Sequence, residues 1–421
     1  MTTIRDPLTL ANGVALPNRI VKSAMSEALA DEHGDASDGQ VAIYARWGRG
    51  GAGMLITGNA MVDRRHLEHP ANFVLDEHTD TARTRRYAQA MKSGGATVAL
   101  AQLNHPGRQQ GAEDFGHAPL SISDVRLDLP GYARPVAADE AALTEVIAKF
   151  ARAAALAEEA GFDGVEIHCA HGYLLSSALS PAINTRADRW GGSLANRARL
   201  ALAVVDAVRQ SVGDDFVVAA KLNSADFQKG GFSAEDSVAT AVLLQDAGVH
   251  FIEVSGGNFE SPLAYQHKSR ASDATTGRTP KRNTALREAY FLEYARAVKA
   301  ALRIPVMVTG GFRQAAVMNA ALAESATDLI GIGRPFIIAP EFPAALLDGR
   351  IDAAPAVERD FPDARDLPPG AALNWFCHQL ALHGLEGTAD LTLPVVDGHR
   401  RYIDRRRATA ERLRAARGLR M

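Results

Sequence analysis

What most constrains this chain is a rhythm of eight short apolar, largely β-branched runs, each closing on small or polar residues and followed by a helical segment. They are RIVKSAM (19–25), GMLITGN (53–59), TVALAQLN (97–104), GVEIHC (164–169), FVVAAKLN (216–223), FIEVSGG (251–257), PVMVTGG (305–311) and LIGIGRP (329–335). Near-continuous apolar character suits strands buried on both faces, as a parallel sheet requires. Between them, Leu143, Val146, Ile147 and Phe150 follow the i, i+3, i+4, i+7 rule within 139–160, and similar patterns cover 193–211, 233–247, 284–301 and 313–324. Strand and helix alternating eight times predict an α/β fold, an eight-stranded β/α (TIM) barrel, rather than a doubly wound sheet, which uses fewer strands and a switch point.

The chain is 421 residues long, 47% hydrophobic and 23% charged, enough for a barrel and its insertions. The barrel is expected over 1–350. After residue 350 the pattern dissolves into Ala, Pro and Asp, then resumes with ALNWFCHQLAL (372–382) and a tail with nine arginines from Arg400. Residues 351–421 therefore read as a linker and a C-terminal helical extension. Two long connections, 105–138 and 258–283, follow strand C-terminal ends and are candidate lids.

Net charge is only −3, which favours neither a nucleic-acid nor a membrane partner; the arginine tail reads as a solvated helix or a subunit contact in a possible homo-oligomer. Two cysteines, Cys169 and Cys377, with no C-x-x-C spacing, make neither a disulfide framework nor a metal centre. MTTIRDPLTL is not a signal peptide and no apolar run is long enough to span a bilayer, so a cytoplasmic protein is expected. Gly48-Arg49-Gly50-Gly51-Ala52-Gly53 satisfies G-x-G-x-x-G, but it precedes a strand and follows a helical pattern, the reverse of a dinucleotide fingerprint, and reads as a helix stop and turn.

In a barrel the chemistry gathers at strand C-terminal ends. Gly310, Gly311, Gly333 and Arg334, after strands seven and eight, suit a phosphate, although the glycines would equally serve tight turns. If the ligand is a flavin mononucleotide, Gln102 can pair with its pyrimidine edge and Lys221 can stabilise negative charge there; a lone barrel lysine could instead form a Schiff base, as in an aldolase. His168 and His171, three residues apart, can polarise one oxygen, and Tyr173 can donate a proton beside it. A metal held by the two histidines lacks an obvious third ligand.

The motifs LPNRIVKSAM, AQLNHPGRQ, DGVEIHCAHGYLLSSALSPAINTRADRWGGSLANR, VTGG and IGIGRP resemble those of the old yellow enzyme family of FMN-dependent reductases, over residues 5 to 345. The resemblance implies non-covalent FMN held by Ser23, Ala24, Met25, Ser26, Asn59, Gln102, Lys221, Gly310, Gly311, Gly333 and Arg334. It also implies NADH or NADPH as reductant, and hydride passed through flavin N5 to the β-carbon of an electron-poor alkene. His168 and His171 would bind the alkene's activating oxygen and Tyr173 would be the proton donor. The same flavin could instead serve an NAD(P)H oxidase or quinone reductase, or sit in a non-catalytic barrel. Ser26, Ala28, Asn59 and Trp190 depart from common family residues, and two cysteines leave no room for an iron–sulfur cluster.

Overall fold

The computed structural model describes residues 1–111, 115, 117–260 and 291–418. Each of the eight apolar runs forms a strand: β1 (Ile20–Lys22), β2 (Met54–Met61), β3 (Val98–Asn104), β4 (Gly164–Cys169), β5 (Val217–Asn223), β6 (Phe251–Ser255), β7 (Val306–Thr309) and β8 (Leu329–Ile332). All pair in parallel with their sequence neighbours, and β8 pairs with β1 through Ile330 and Ile20, which closes the barrel. A short strand, Phe73–Val74, extends β2 outside the ring.

Alternation along the strands sorts their residues into two spaces. Outward residues such as Ala101, Leu103, Val165, Ile167, Ala220 and Leu222 pack under the helices. Inward residues Val21, Met54, Ile56, Val98, Leu100, Val217, Ala219, Phe251, Met307 and Leu329 fill the barrel floor, which Leu10 and Leu16 from an N-terminal hairpin plug from below. Two residues further up the strands the interior turns polar, at Ser23, Gln102, Lys221, Glu253 and Thr309. The apolar floor thus ends where the functional face begins.

The outer ring comprises α1 (Asp38–Gly48), α2 (Thr81–Met91), α3 (Glu140–Glu159), α4 (Leu194–Ser211), α5 (Ala234–Asp246), α6 (Leu292–Ala301), α7 (Ala315–Ala323) and α8 (Phe342–Leu347). Ser37, Asp80, Asp139, Ser193 and Ser233 cap the first five by accepting backbone N–H groups of the first turn. The helical patterns therefore fall where the sequence places them, except that 284–290 of the sixth lies outside the described residues. The glycine run after α1 is a stop and turn: a Cβ on Gly53 would lie 2.4 Å from the Asn18 carbonyl oxygen. Of the second candidate lid, 258–283, only 258–260 is described.

Beyond residue 350 the chain does not trail away. Helices α9 (Ala371–Glu386) and α10 (Val395–Ala416) pack on each other and on the barrel. Trp375 and Phe376 are buried, and the Trp375 indole donates to the Leu393 carbonyl at 2.8 Å. Leu413 joins Met61, Leu67, Val74 and Phe115 in a small core. The arginine tail is therefore two-faced: Tyr402, Thr409, Ala410 and Leu413 turn inward, while Arg400, Arg401, Arg407 and Arg412 are exposed. No helix among the described residues is long and apolar enough to cross a membrane.

Helices α1 and α9 touch at two glycines. A Cβ on Gly384 would sit 2.8 Å from the Gly39 carbonyl oxygen, a backbone atom that cannot swing aside. Gly384→Val is expected to destabilise the protein by about 1–3 kcal/mol through overpacking, read as a lower urea midpoint or melting temperature; an unchanged midpoint would mean that the crossing is looser than it stands here.

Candidate functional site

A cavity opens at the C-terminal ends of the strands. Ala24, Met25, Ser26, Asn59, Gln102, His168, His171, Tyr173, Lys221, Gly310, Gly311, Gly333 and Arg334 all line it. Ser23 alone of the expected residues does not. Its hydroxyl turns into the barrel and shares a hydrogen bond with Thr309 Oγ1 at 2.7 Å.

Asn59 reaches the cavity because β2 is irregular. Its register with β3 shifts between Ile56 and Asn59, so the residue after the shift faces inward while Ala60 packs outward. The irregularity requires Gly58, whose added Cβ would fall 2.0 Å from the Met25 carbonyl oxygen and whose N–H donates to Glu27 Oε1 at 2.9 Å. Asn104 Nδ2 donates to Asn59 Oδ1 at 3.2 Å and thereby orients the amide; Asn59 Nδ2 then donates to the Tyr173 phenol oxygen at 3.2 Å. A phenol that accepts this bond keeps its own proton for another partner.

Three rings meet above β4. The His168 ring centre lies 5.3 Å from that of His171 and 4.9 Å from that of Tyr173. His168 Nδ1 accepts the Ala170 N–H at 3.2 Å, which leaves the proton of a neutral imidazole on Nε2. His171 has a left-handed backbone, φ 64°, held by the bond from its N–H to Asn223 Oδ1 at 3.1 Å, and its Nε2 lies 2.9 Å from Ser255 Oγ. Burial, then His171 and Lys221, drives the His168 imidazolium far below the usual range, and burial and Lys221 push His171 down to about 3. Both shifts favour the neutral imidazole, which carries one N–H donor per ring.

Beneath the rings lies a buried polar layer. Gln102 Nε2 donates to Glu166 Oε2 at 2.6 Å, and Lys221 Nζ forms an ion pair with Glu253 Oε1 at 2.7 Å. Burial and the neighbouring Glu253 charge raise Glu166 well above the carboxylate range. Burial also pushes Glu253 up, but Lys221 and the hydrogen bond from Glu166 outweigh it and hold Glu253 low.

Across the mouth the backbone turns with φ 142° at Gly310 and 81° at Gly311, a pair of conformations that suits glycine. A Cβ on Gly333 would meet only the Met25 side chain, at 3.5 Å, so its backbone stands open to the cavity. Arg313 lines this end beside Arg334, and Glu358, from the segment after the barrel, forms an ion pair with Arg313 and lies 3.9 Å from Arg334. A cavity with amide and ammonium donors at one end and glycines with two arginines at the other can hold a flavin mononucleotide: the former match its pyrimidine edge and the latter its phosphate. Among the described residues, no group of three His, Cys, Asp or Glu could hold a metal.

Several lining residues escape a sequence reading. Arg313 follows the strand-seven glycines at two residues, a signal that was there to be read. Leu373, Phe376, Cys377 and Leu380 of α9 and Tyr402 of α10 also line the cavity, and no local pattern places a C-terminal helix there. Burial pushes the Cys377 and Cys169 thiols up to about 12, which makes both poor nucleophiles. Conversely, much of the long motif after β4 is scaffold: Arg186 donates to the Ala138 carbonyl at 2.6 Å, and Trp190 Nε1 donates to Glu140 Oε2 at 2.5 Å.

A profile of the NADH:flavin oxidoreductase / NADH oxidase family matches residues 4–353. The chain is 35% identical over 362 residues to NADH-dependent flavin oxidoreductase iliE of Hypocrea jecorina, a match covering 81% of this chain and 88% of that protein. The old yellow enzyme homologue from Zymomonas mobilis superposes with a TM-score of 0.69 at 23% identity, covering 84% of this chain and 94% of the other. 2-Naphthoyl-CoA reductase superposes with a TM-score of 0.75 at 24% identity over 84% of this chain; the match spans only 54% of that longer protein. These two likenesses show the shared barrel.

Because His168 and His171 lose proton affinity on folding, the unfolded chain takes up protons first as pH drops. Their contribution to stability is complete above the ordinary histidine value of 6.5 and is lost as pH falls towards about 3. The unfolding free energy from urea titrations is expected to fall between pH 7 and pH 5, by at most about 1.4 kcal/mol per pH unit for each histidine. His171→Gln should flatten part of that fall; an identical pH profile for the variant would place the His171 titration elsewhere.

Proposed function

The chain belongs to the NADH:flavin oxidoreductase / NADH oxidase family, the old yellow enzyme family, and from that premise we propose that it reduces electron-poor alkenes conjugated to a carbonyl or nitro group. FMN is its flavin and a nicotinamide nucleotide its reductant. The observation that carries the proposal is the convergence of two imidazoles and a phenol on one cavity wall, with the His168 ring centre 5.3 Å from that of His171 and 4.9 Å from that of Tyr173.

Bound FMN would supply the hydride-transfer chemistry between NAD(P)H and the alkene's β-carbon. The chain's residues supply the rest. In this reading Gln102 and Lys221 hold the pyrimidine edge, Ala24, Met25 and Ser26 run beside the ring, and Gly310, Gly311, Gly333, Arg313 and Arg334 take the phosphate. His168 and His171 donate to the carbonyl or nitro oxygen, drawing electron density from the β-carbon. As neutral donors they do so without a charge that would attract competing anions. Tyr173 gives its proton to the α-carbon, so that one hydride and one proton saturate the double bond. Asn59 keeps the phenol turned towards that carbon by bonding to its oxygen.

The family description also names NADH oxidase, which supports a second reading in which oxygen or a quinone re-oxidises the same flavin. The two differ in their oxidant. The wild-type protein is expected to purify yellow, to bleach anaerobically with NADH or NADPH, and to regain colour on addition of 2-cyclohexenone. Tyr173→Phe should slow that last step by about 10²–10⁴ and leave bleaching nearly unchanged, with Asn59→Ala giving a smaller loss of the same step. Full-rate alkene turnover by Tyr173→Phe would remove the tyrosine from the chemistry, and colour returning only with oxygen or quinone would favour the second reading.

A further inference from the structure

The buried pair Glu166 and Glu253 has no part in the chemistry above, yet it lies directly behind the two residues expected at the flavin's pyrimidine edge. Lys221 lines the cavity, but its ammonium points down to Glu253 at 2.7 Å; the two side chains are 4% and 0% exposed. Gln102 lines the same end and donates to Glu166 at 2.6 Å. The two carboxyls act on each other electrostatically, Glu253 raising the proton affinity of Glu166. Register brings them together: Gln102 is paired with Glu166 across β3 and β4, and Lys221 with Glu253 across β5 and β6.

Charge counting decides the state of this layer. Two carboxylates and one ammonium, all buried, would leave one uncompensated negative charge at a prohibitive desolvation cost. One proton shared between the two acids makes the group neutral, with Glu253 ionised against Lys221 and Glu166 protonated behind it. The lysine then meets any ligand above it as half of an ion pair. A bare cation would stabilise added negative charge far more.

We propose that Glu253 is a positioning residue that lowers the reduction potential of the bound flavin by neutralising Lys221, and that Glu166 keeps it in place as a protonated partner. The inference rests on the flavin site proposed above. Hydride arriving at the flavin brings negative charge to the end that Lys221 faces. Each unit of charge cancelled there disfavours the reduced form and makes it a stronger reductant towards an alkene.

The test is the two-electron midpoint potential of the flavin in the purified holoenzyme, measured by dye equilibration. Glu253→Gln leaves Lys221 unopposed and should favour reduction at least tenfold, a rise of about 30 mV or more. Glu166→Gln preserves the neutral layer and should shift the equilibrium less than tenfold. If Glu253→Gln does not fold, Lys221→Met and the double variant Lys221→Met/Glu253→Gln replace it. The single change should disfavour reduction at least tenfold, and the double should return towards wild type. A potential unmoved by Glu253→Gln, or by both replacements, overturns the role of Glu253, and equal shifts from Glu166→Gln and Glu253→Gln overturn the one-proton assignment. Wild-type protein that purifies without flavin would overturn the underlying reading, and this inference with it.

Discussion

Closure of the eight parallel strands is the constraint on which everything else rests. Once Ile330 of β8 pairs with Ile20 of β1, the period-two alternation of every strand delivers half of its side chains into one enclosed space. That space cannot be filled arbitrarily. Its lower part holds Val, Leu, Met and Phe under the plug of Leu10 and Leu16. In its buried upper part an unpaired charge is costly, so each charge there needs a partner.

The polar layer is the boundary between these regimes. Lys221 pairs with Glu253 and Gln102 with Glu166 across four strands, and the strand ends just above line the cavity. The same burial lowers the proton affinity of His168 and His171 and favours their neutral form. The electrostatics of the layer and of the two rings are therefore set by one feature, the burial of the upper barrel.

The strand ends are held in place by contacts between loops. Glu260 accepts from Arg108 at 2.6 Å and from the Asp128 N–H at 3.0 Å, tying the connection after β3 to that after β6. Gln109 donates to the His171 carbonyl at 3.0 Å, which braces the left-handed turn carrying that imidazole. On the far side, α9 seats against α1 at the Gly39–Gly384 crossing and brings Phe376 beside Arg334, whose guanidinium lies 5.8 Å from the ring centre. A C-terminal pair of helices thus completes the cavity wall, and Glu358 from the linking segment holds the arginines at its rim.

The sequence alone determined the barrel, because each apolar run and each helical period is a property of neighbouring residues, and eight alternations admit few other folds. It also determined which strand ends would gather around one cavity; His168, His171, Tyr173, Gln102 and Lys221 could all be read there, and all line it. Tertiary structure decided the rest. The register shift after Ile56 turns Asn59 to the phenol, and Ser23 turns away to Thr309. Glu253 meets both Lys221 and Glu166, and Phe376 crosses from the far end of the chain to the mouth. These are encounters between residues distant in sequence. Local periodicity carries no record of them, and they come into being only when the ring of strands closes and fixes its register.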